Sequence, residues 1–292
     1  MSSRNIALLA VVLGALLNGA SAALTKKGVA EIPPLSFAMI RLTIASLVIL
    51  PFFLHQKDHA LSSMKEITPI SLFAALNIIF FTLGMKFTIG NIGVVIYAAV
   101  PLLTAMILYF FFQERLVLKK VWGILVGFIG VIIIALLPLI EKGNPFSGNL
   151  LGNFFLICAV ISWSFYMVYS KRIQKKYSPF MVTSNFIFVT TAVLLPFFLW
   201  DLQQHFGWWN HVTGWGVLAI FYMALVITIL AYTLNQYAIK HGGSVFAATT
   251  FYLFPIFGFT TNFFLLGEHL TAGLIIGSGL ALLGTFLVMK KT

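Results

Sequence analysis

The chain has 292 residues, 60% of them hydrophobic and 9% charged, and a net charge of +11. A soluble domain carries about a quarter charged residues, so a water-soluble globular fold is excluded and the chain reads as a polytopic membrane protein. The positive balance does not imply nucleic acid, because excess Lys and Arg in such a chain sets topology from cytoplasmic loops, and the single cysteine, Cys158, excludes an intramolecular disulfide and any cysteine-based metal site.

An apolar helix needs about 20 residues to cross about 30 Å of hydrocarbon. The apolar runs are 5–24, 33–54, 67–86, 90–112, 118–139, 150–170, 179–200, 214–239, 243–266 and 270–289. They predict ten helices, because lipid satisfies no unpaired backbone group. The first 24 residues imitate a secretory signal, with Arg4, an apolar core and Ala20-Ser21-Ala22. That reading is set aside, because residues 5–54 align without a gap to residues 150–199.

Taken in order, span 1 carries Asn18, about 9 Å from its outer end at 1.5 Å per residue. Span 2 carries Arg41, the one charged residue well inside a span. An intramembrane ionisable group is a functional candidate, and Arg41 could meet a carboxylate. Its preferred reading here is snorkelling or capping of nearby carbonyls. Asn77 lies in span 3, Tyr97 and Pro101 in span 4, Trp163 and Tyr166 in span 6, Tyr232 in span 8, and Thr249 and Pro255 in span 9. Each mid-span proline removes an intrahelical hydrogen bond and is read as a hinge. Asn18, Asn77, Tyr97, Trp163, Tyr166, Tyr232 and Thr249 are the candidate substrate-binding wall. The alternative for each is helix-to-helix glue worth about 0.6–2 kcal/mol. Gly123-xxx-Gly127 and Gly273-xxx-Gly277 predict close packing of spans 5 and 10, within the chain or in a homodimer.

The chain is also written twice. Lys26, Pro34 and Pro51 recur as Lys171, Pro179 and Pro196, and Leu50–Leu54 recurs whole as Leu195–Leu199, all at an offset of 145. Pro101, Glu114, Leu116, Gly123 and Gly130 recur as Pro255, Glu268, Leu270, Gly277 and Gly284, at an offset of 154. The expected fold is all-α and integral to the membrane, with ten transmembrane helices as two inverted five-helix repeats, 1–142 and 149–292. Asn18 and Trp163 become repeat partners facing one another across a pseudo-two-fold axis. Five spans per repeat force the second half to enter from the opposite side. Of the 18 Lys and Arg residues, Lys26, Lys27, Lys86 and Lys142 lie on one side, Arg41 lies within span 2, and the other thirteen lie on the opposite side. Both termini are therefore expected in the cytoplasm. Trp122, Trp200, Trp208, Trp209 and Trp215 fall at span ends, where such rings prefer the headgroup zone.

The pattern Tyr97-Ala98-Ala99-Val100-Pro101, then Glu114-Arg115-Leu116, then Gly123 and Gly130 is repeated as Phe251-Tyr252-Leu253-Phe254-Pro255, then Gly267-Glu268-His269-Leu270, then Gly277 and Gly284. It resembles the EamA-type branch of the drug/metabolite transporter superfamily over nearly the whole chain. One departure is Asn18-Gly19, where that family often has Trp-Gly. The resemblance implies a secondary transporter in the inner (plasma) membrane, commonly an exporter of amino acids and related metabolites, with a central cavity between the halves.

Three classes compete. A transporter of a small-molecule substrate needs no cofactor and no metal. An integral membrane enzyme needs a nucleophile, an acid–base pair or a metal set in mutual reach, and no His-Glu-x-x-His run or mid-span carboxylate pair supplies one. A channel needs rings of carbonyls or charges, and no filter recurs. With no mid-span Asp or Glu, coupling through a carboxylate proton relay is unsupported, which leaves exchange or another route.

Overall fold

The computed structural model describes residues 3–56, 61–114 and 118–289. Lys57, Arg115, Leu116, Lys290 and Lys291 of the charge and repeat patterns lie outside these residues. Among the described residues the chain is helical, without strands, and forms ten apolar spans. Span 1 is Arg4–Glu31, span 2 Pro34–Leu54, span 3 Met64–Phe87, span 4 Gly90–Phe112 and span 5 Leu118–Ala135. Span 6 is Pro145–Ile173, span 7 Pro179–Gln204, span 8 Gly214–Gly242, span 9 Ser244–Leu266 and span 10 Ala272–Met289. Eight of these are long and apolar enough to cross a membrane, and spans 5 and 10 are shorter.

Span 1 runs to Glu31, past the Lys26-Lys27 pair at which the apolar run stops. Charges do not end a helix, but proline does: Ile32 stands before Pro33 and is held extended, at φ −119° and ψ 133°. Span 7 opens on Ser178, whose hydroxyl accepts from the Met181 N–H, followed by Pro179 in the first turn.

The spans pack in pairs: 5 with 10, 3 with 6, 1 with 8, and 2 with 7. Spans 5 and 10 touch through glycine. A β-carbon on Gly123 would stand 2.8 Å from the Gly284 carbonyl oxygen, and one on Gly130 would stand 2.5 Å from that of Gly277. Only hydrogen permits that approach. The glycine faces of both spans are therefore used within the chain. Between spans 2 and 7 the hydroxyls of Ser46 and Thr191 meet at 3.0 Å. Large apolar side chains on the outer faces, such as Phe110 and Phe264, are exposed, as a bundle surrounded by hydrocarbon requires.

Candidate functional site

Three spans break near mid-depth. Span 4 stops at Tyr97, turns through Ala98 and Ala99, and restarts at Val100, with Pro101 in the new first turn. Span 9 stops at Tyr252 and restarts at Phe254, with Pro255 in the same position. A proline has no N–H for the carbonyl four residues back, so the Tyr97 and Phe251 carbonyls lose their helical donors. In the turn between the half-helices of span 4, the buried Ala98 carbonyl accepts from Thr285 Oγ1 of span 10 at 3.1 Å. Span 1 breaks at Gly19-Ala20. Its freed carbonyls are met from the other half: Leu17 by Tyr222 Oη at 2.6 Å, and Gly19 by Thr261 Oγ1 at 2.7 Å. Span 8 carries a π-helical stretch, Tyr222–Ala231, in which Thr228 Oγ1 donates to the Met223 carbonyl five residues back. Such widened turns gather at functional sites.

These irregular stretches surround one cavity with about 590 Å³ of space between atoms, its mouth included. Asn18, Ser21 and Ala22 line it from span 1, Asn77 and Phe81 from span 3, and Gly93, Val94 and Tyr97 from span 4. Trp163 comes from span 6; Met223, Ile227, Ala231, Tyr232 and Asn235 from span 8; Thr250, Phe251 and Phe254 from span 9. Of the residues expected in the wall, Asn18, Asn77, Tyr97, Trp163 and Tyr232 are brought together. Tyr166 is buried against the Trp163 and Phe186 rings, at 5.1 and 5.7 Å, and Thr249 is half-buried; neither belongs to the lining. Thr250 takes the place expected of Thr249, since one step along a helix turns a side chain by about 100°. Sequence reasoning missed Ser21, Thr250 and Asn235. Asn235 carried one signal, an amide inside the apolar run 214–239, but not which way it faces.

Trp163 is 2% exposed and packs ring to ring with Tyr232 at 5.1 Å and Phe251 at 6.2 Å. Tyr97 packs on Phe251 at 5.7 Å, so Phe251 joins the two aromatic walls. Asn77 Nδ2 spends both hydrogens, one on Tyr97 Oη at 2.6 Å and one on the Ala159 carbonyl at 2.8 Å. Trp163 Nε1, Thr250 Oγ1 and both side-chain polar atoms of Asn235 are buried without a protein partner. Buried polar groups are nearly always hydrogen-bonded, so these four atoms await one. Arg41 departs from its expected role. It neither snorkels nor caps: it is 0% exposed, and none of its three nitrogens has a hydrogen-bond partner.

Lysines tie the connections together at both ends of the bundle. At one end Lys26 Nζ donates to the Thr88 and Lys86 carbonyls, and Lys86 Nζ to the Val29 carbonyl at 2.9 Å. At the other, Lys171 Nζ donates to the Ile239 and Lys240 carbonyls, at 3.1 and 2.9 Å. Lys26 and Lys171 are 145 residues apart, and Lys86 and Lys240 are 154 apart, so one latch is built twice. The first end also has a carboxylate clasp. Glu268 accepts from the Gly90 and Asn91 N–H groups at the start of span 4, each at 2.7 Å, where the helix dipole favours an anion. Burial nonetheless raises its carboxyl above the usual range, against the pull of those two N–H groups and Lys26. Glu114, its counterpart 154 residues earlier, is exposed. Among the described residues no group of three His, Cys, Asp or Glu side chains is placed to share a metal ion.

Ten spans enclosing a central, aromatic-walled cavity define a transporter-like membrane bundle. The EamA-like transporter family matches residues 5–136 and again 150–290, and the chain belongs to that family. An uncharacterized transporter of Archaeoglobus fulgidus is 24% identical over 267 residues, 91% of this chain and 92% of its own length. The uncharacterized transporter YyaM of Bacillus subtilis is 27% identical over 276 residues, 91% of this chain and 88% of its own. A WAT1-related protein of Arabidopsis thaliana is 22% identical over 279 residues, 85% of this chain and 76% of its own. A solved crystal structure at 21% identity superposes with a TM-score of 0.64 over 98% of this chain and 96% of that one, a likeness of fold.

Proposed function

We propose that this membrane transporter moves small organic metabolites, amino acids or related compounds, by alternating access, and that it works as an exporter in the inner (plasma) membrane with both termini cytoplasmic. The observation that carries this is the cavity: residues of both halves line it, and the two proline-broken spans meet there. Substrate sites of secondary transporters sit at such repeat interfaces beside discontinuous helices. Pairing of the halves 1–142 and 149–292 as inverted repeats has further support in three contacts. Ser46 meets its own counterpart Thr191, and the Gly123–Gly284 contact has its counterpart in Gly130–Gly277. The duplicated lysine latch gives each end a means of closing, while Glu268, held by the Gly90 and Asn91 N–H groups where its counterpart Glu114 is exposed, makes the two ends unequal. Transporter names on the relatives favour this reading over an integral membrane enzyme.

The test is counterflow in proteoliposomes preloaded with single amino acids, nucleosides or organic acids, with radiolabelled solute outside. Label should accumulate inside against its gradient for at least one solute and leave chemically unchanged. Recovery of the label as a converted product, with no accumulation, would favour the enzyme.

A further inference from the structure

We infer that Asn235, Thr250 and Trp163 form an uncharged recognition edge in the cavity, and that the solute is an uncharged planar ring compound bearing an amide or lactam. The inference rests on the transporter reading and selects, from the small organic metabolites proposed above, those without a free charge. The edge itself rests on the cavity lining.

All three residues line the cavity, and all are more than nine-tenths buried. The Trp163 Nε1 donor, the Thr250 hydroxyl and both polar atoms of the Asn235 amide have no protein partner. Ring contacts link the three. Asn235 follows Tyr232 by three residues, on the same face of span 8, and the Tyr232 ring packs on Trp163 at 5.1 Å. Thr250 directly precedes Phe251, whose ring meets that of Trp163 at 6.2 Å. The lining amides of the first half differ: Asn18 Nδ2 donates to the Gly14 carbonyl, and Asn77 Nδ2 to Tyr97 and Ala159. The lining atoms buried without a partner therefore all lie on the wall made by spans 6, 8 and 9.

The chemistry of these atoms selects the ligand. An asparagine with both ends idle offers an acceptor beside a donor. An amide or lactam edge answers it with one N–H and one carbonyl, in two parallel hydrogen bonds, as asparagine meets the edge of adenine. Trp163 Nε1, a donor only, and the Thr250 hydroxyl add capacity for a further acceptor. Charge is excluded by what the wall contains: among the described residues the lining has no Asp, Glu, Lys, Arg or His. A carboxylate or ammonium buried there would lack an opposite charge, which is costly. An uncharged amide gives up only hydrogen bonds to water, and the edge returns them. The rings of Phe81, Tyr97, Trp163, Tyr232, Phe251 and Phe254 enclose the flat remainder.

The experiment uses the purified full chain in nanodiscs and four probes of nearly equal shape, compared by thermal shift. Benzamide offers donor and acceptor, acetophenone an acceptor only, benzoate a negative charge and benzamidine a positive one. Benzamide should raise the wild-type midpoint most, and the two ions should not raise it. Asn235→Leu should weaken benzamide binding by about tenfold, the loss expected for two hydrogen bonds, and should weaken acetophenone binding less. Without ligand, Asn235→Leu should melt no lower than wild type, because it removes idle buried polar atoms. Asn235→Asp should turn the preference to benzamidine, whose two N–H groups match a carboxylate, a gain that a merely structural amide would not produce. Thr250→Val, which keeps the shape, should cost benzamide about threefold. Benzamide affinity unchanged in both Asn235→Leu and Thr250→Val overturns the edge. A wild-type shift with benzoate or benzamidine as large as that with benzamide overturns the uncharged solute. Counterflow separates the two readings. Exchange of charged solutes alone, at equal rates in wild type and Asn235→Leu, would retain the transporter and refute the edge. Asn235-dependent benzamide binding without exchange of any solute would retain the edge and refute the transporter.

Discussion

At the scale of the residue, the cavity wall divides into side chains that are satisfied and side chains that are not. Asn18 Nδ2 donates to the Gly14 carbonyl at 2.8 Å, and both Nδ2 hydrogens of Asn77 go to Tyr97 and Ala159. These amides hold the wall in shape. Trp163 Nε1, by contrast, has no partner although its ring is held by Tyr166, Tyr232 and Phe251. A rigid ring with an idle donor is suited to meet a ligand. Trp163→Ala is expected to weaken substrate binding by about tenfold, roughly 1.4 kcal/mol, while Phe264→Ala on the outer face leaves it unchanged. The independent check is a cysteine placed at 18 or 163 in a Cys158→Ala background, challenged with a small water-soluble thiol reagent. Both should label, and substrate should protect them. Silence at both positions in every state, with loop cysteines reactive, would make them packing residues.

At the scale of the element, spans 4 and 9 each consist of two half-helices joined at a proline-initiated restart, and each ends on a left-handed residue, Gln113 at φ 55° or Gly267 at φ 67°. Gly267 adopts that geometry without strain, whereas Gln113 does not. The two turns place Glu114 and Glu268 just beyond the helix ends, and in this state Glu268 alone reaches the N-terminus of a neighbouring span. On the proposed alternating-access reading, the breaks serve as hinges at which each half-helix tilts. Pro101→Ala or Pro255→Ala restores an N–H to the Tyr97 or Phe251 carbonyl and joins the halves. Each variant should fold and bind as wild type does but exchange solute about tenfold more slowly, an added barrier of about 1.4 kcal/mol. Counterflow rates at equal protein density measure this, and wild-type rates in both variants would reduce the prolines to tolerated kinks.

At the scale of the whole molecule, hydrogen bonds gather the connections into two sets. Those after spans 1, 3, 5, 7 and 9 meet at one end through Lys26–Thr88, Glu31–Thr213, Thr88–Asn153 and Glu141–Gly273. Those after spans 6 and 8 meet at the other through Lys171–Lys240. The lysine-poor side of the charge count is the first of these. Reporter fusions after Lys176 and at the C-terminus should therefore read cytoplasmic, and one in the Trp208–His211 turn external. A cytoplasmic signal from that turn would remove the inverted arrangement.

The sequence by itself determined what depends on composition and repetition. The ten spans follow from apolar length, because lipid forces every crossing segment into a helix. The kinks at Pro101 and Pro255 follow from a missing N–H, and five lining residues were legible as polar or aromatic groups deep in apolar runs. The tertiary structure alone decided matters that depend on which face turns toward which neighbour. It chose Thr250 over Thr249, placed Tyr166 behind Trp163, and brought in Asn235. It broke span 1 at Gly19, where Tyr222 and Thr261 from the other half satisfy the freed carbonyls, and opened a π turn in span 8 that no residue pattern announces. It also left Arg41 buried and unpaired, where sequence depth had favoured snorkelling. A periodic pattern encodes a helix, but a partner's absence is a property of the packed whole, and only the packed whole records it.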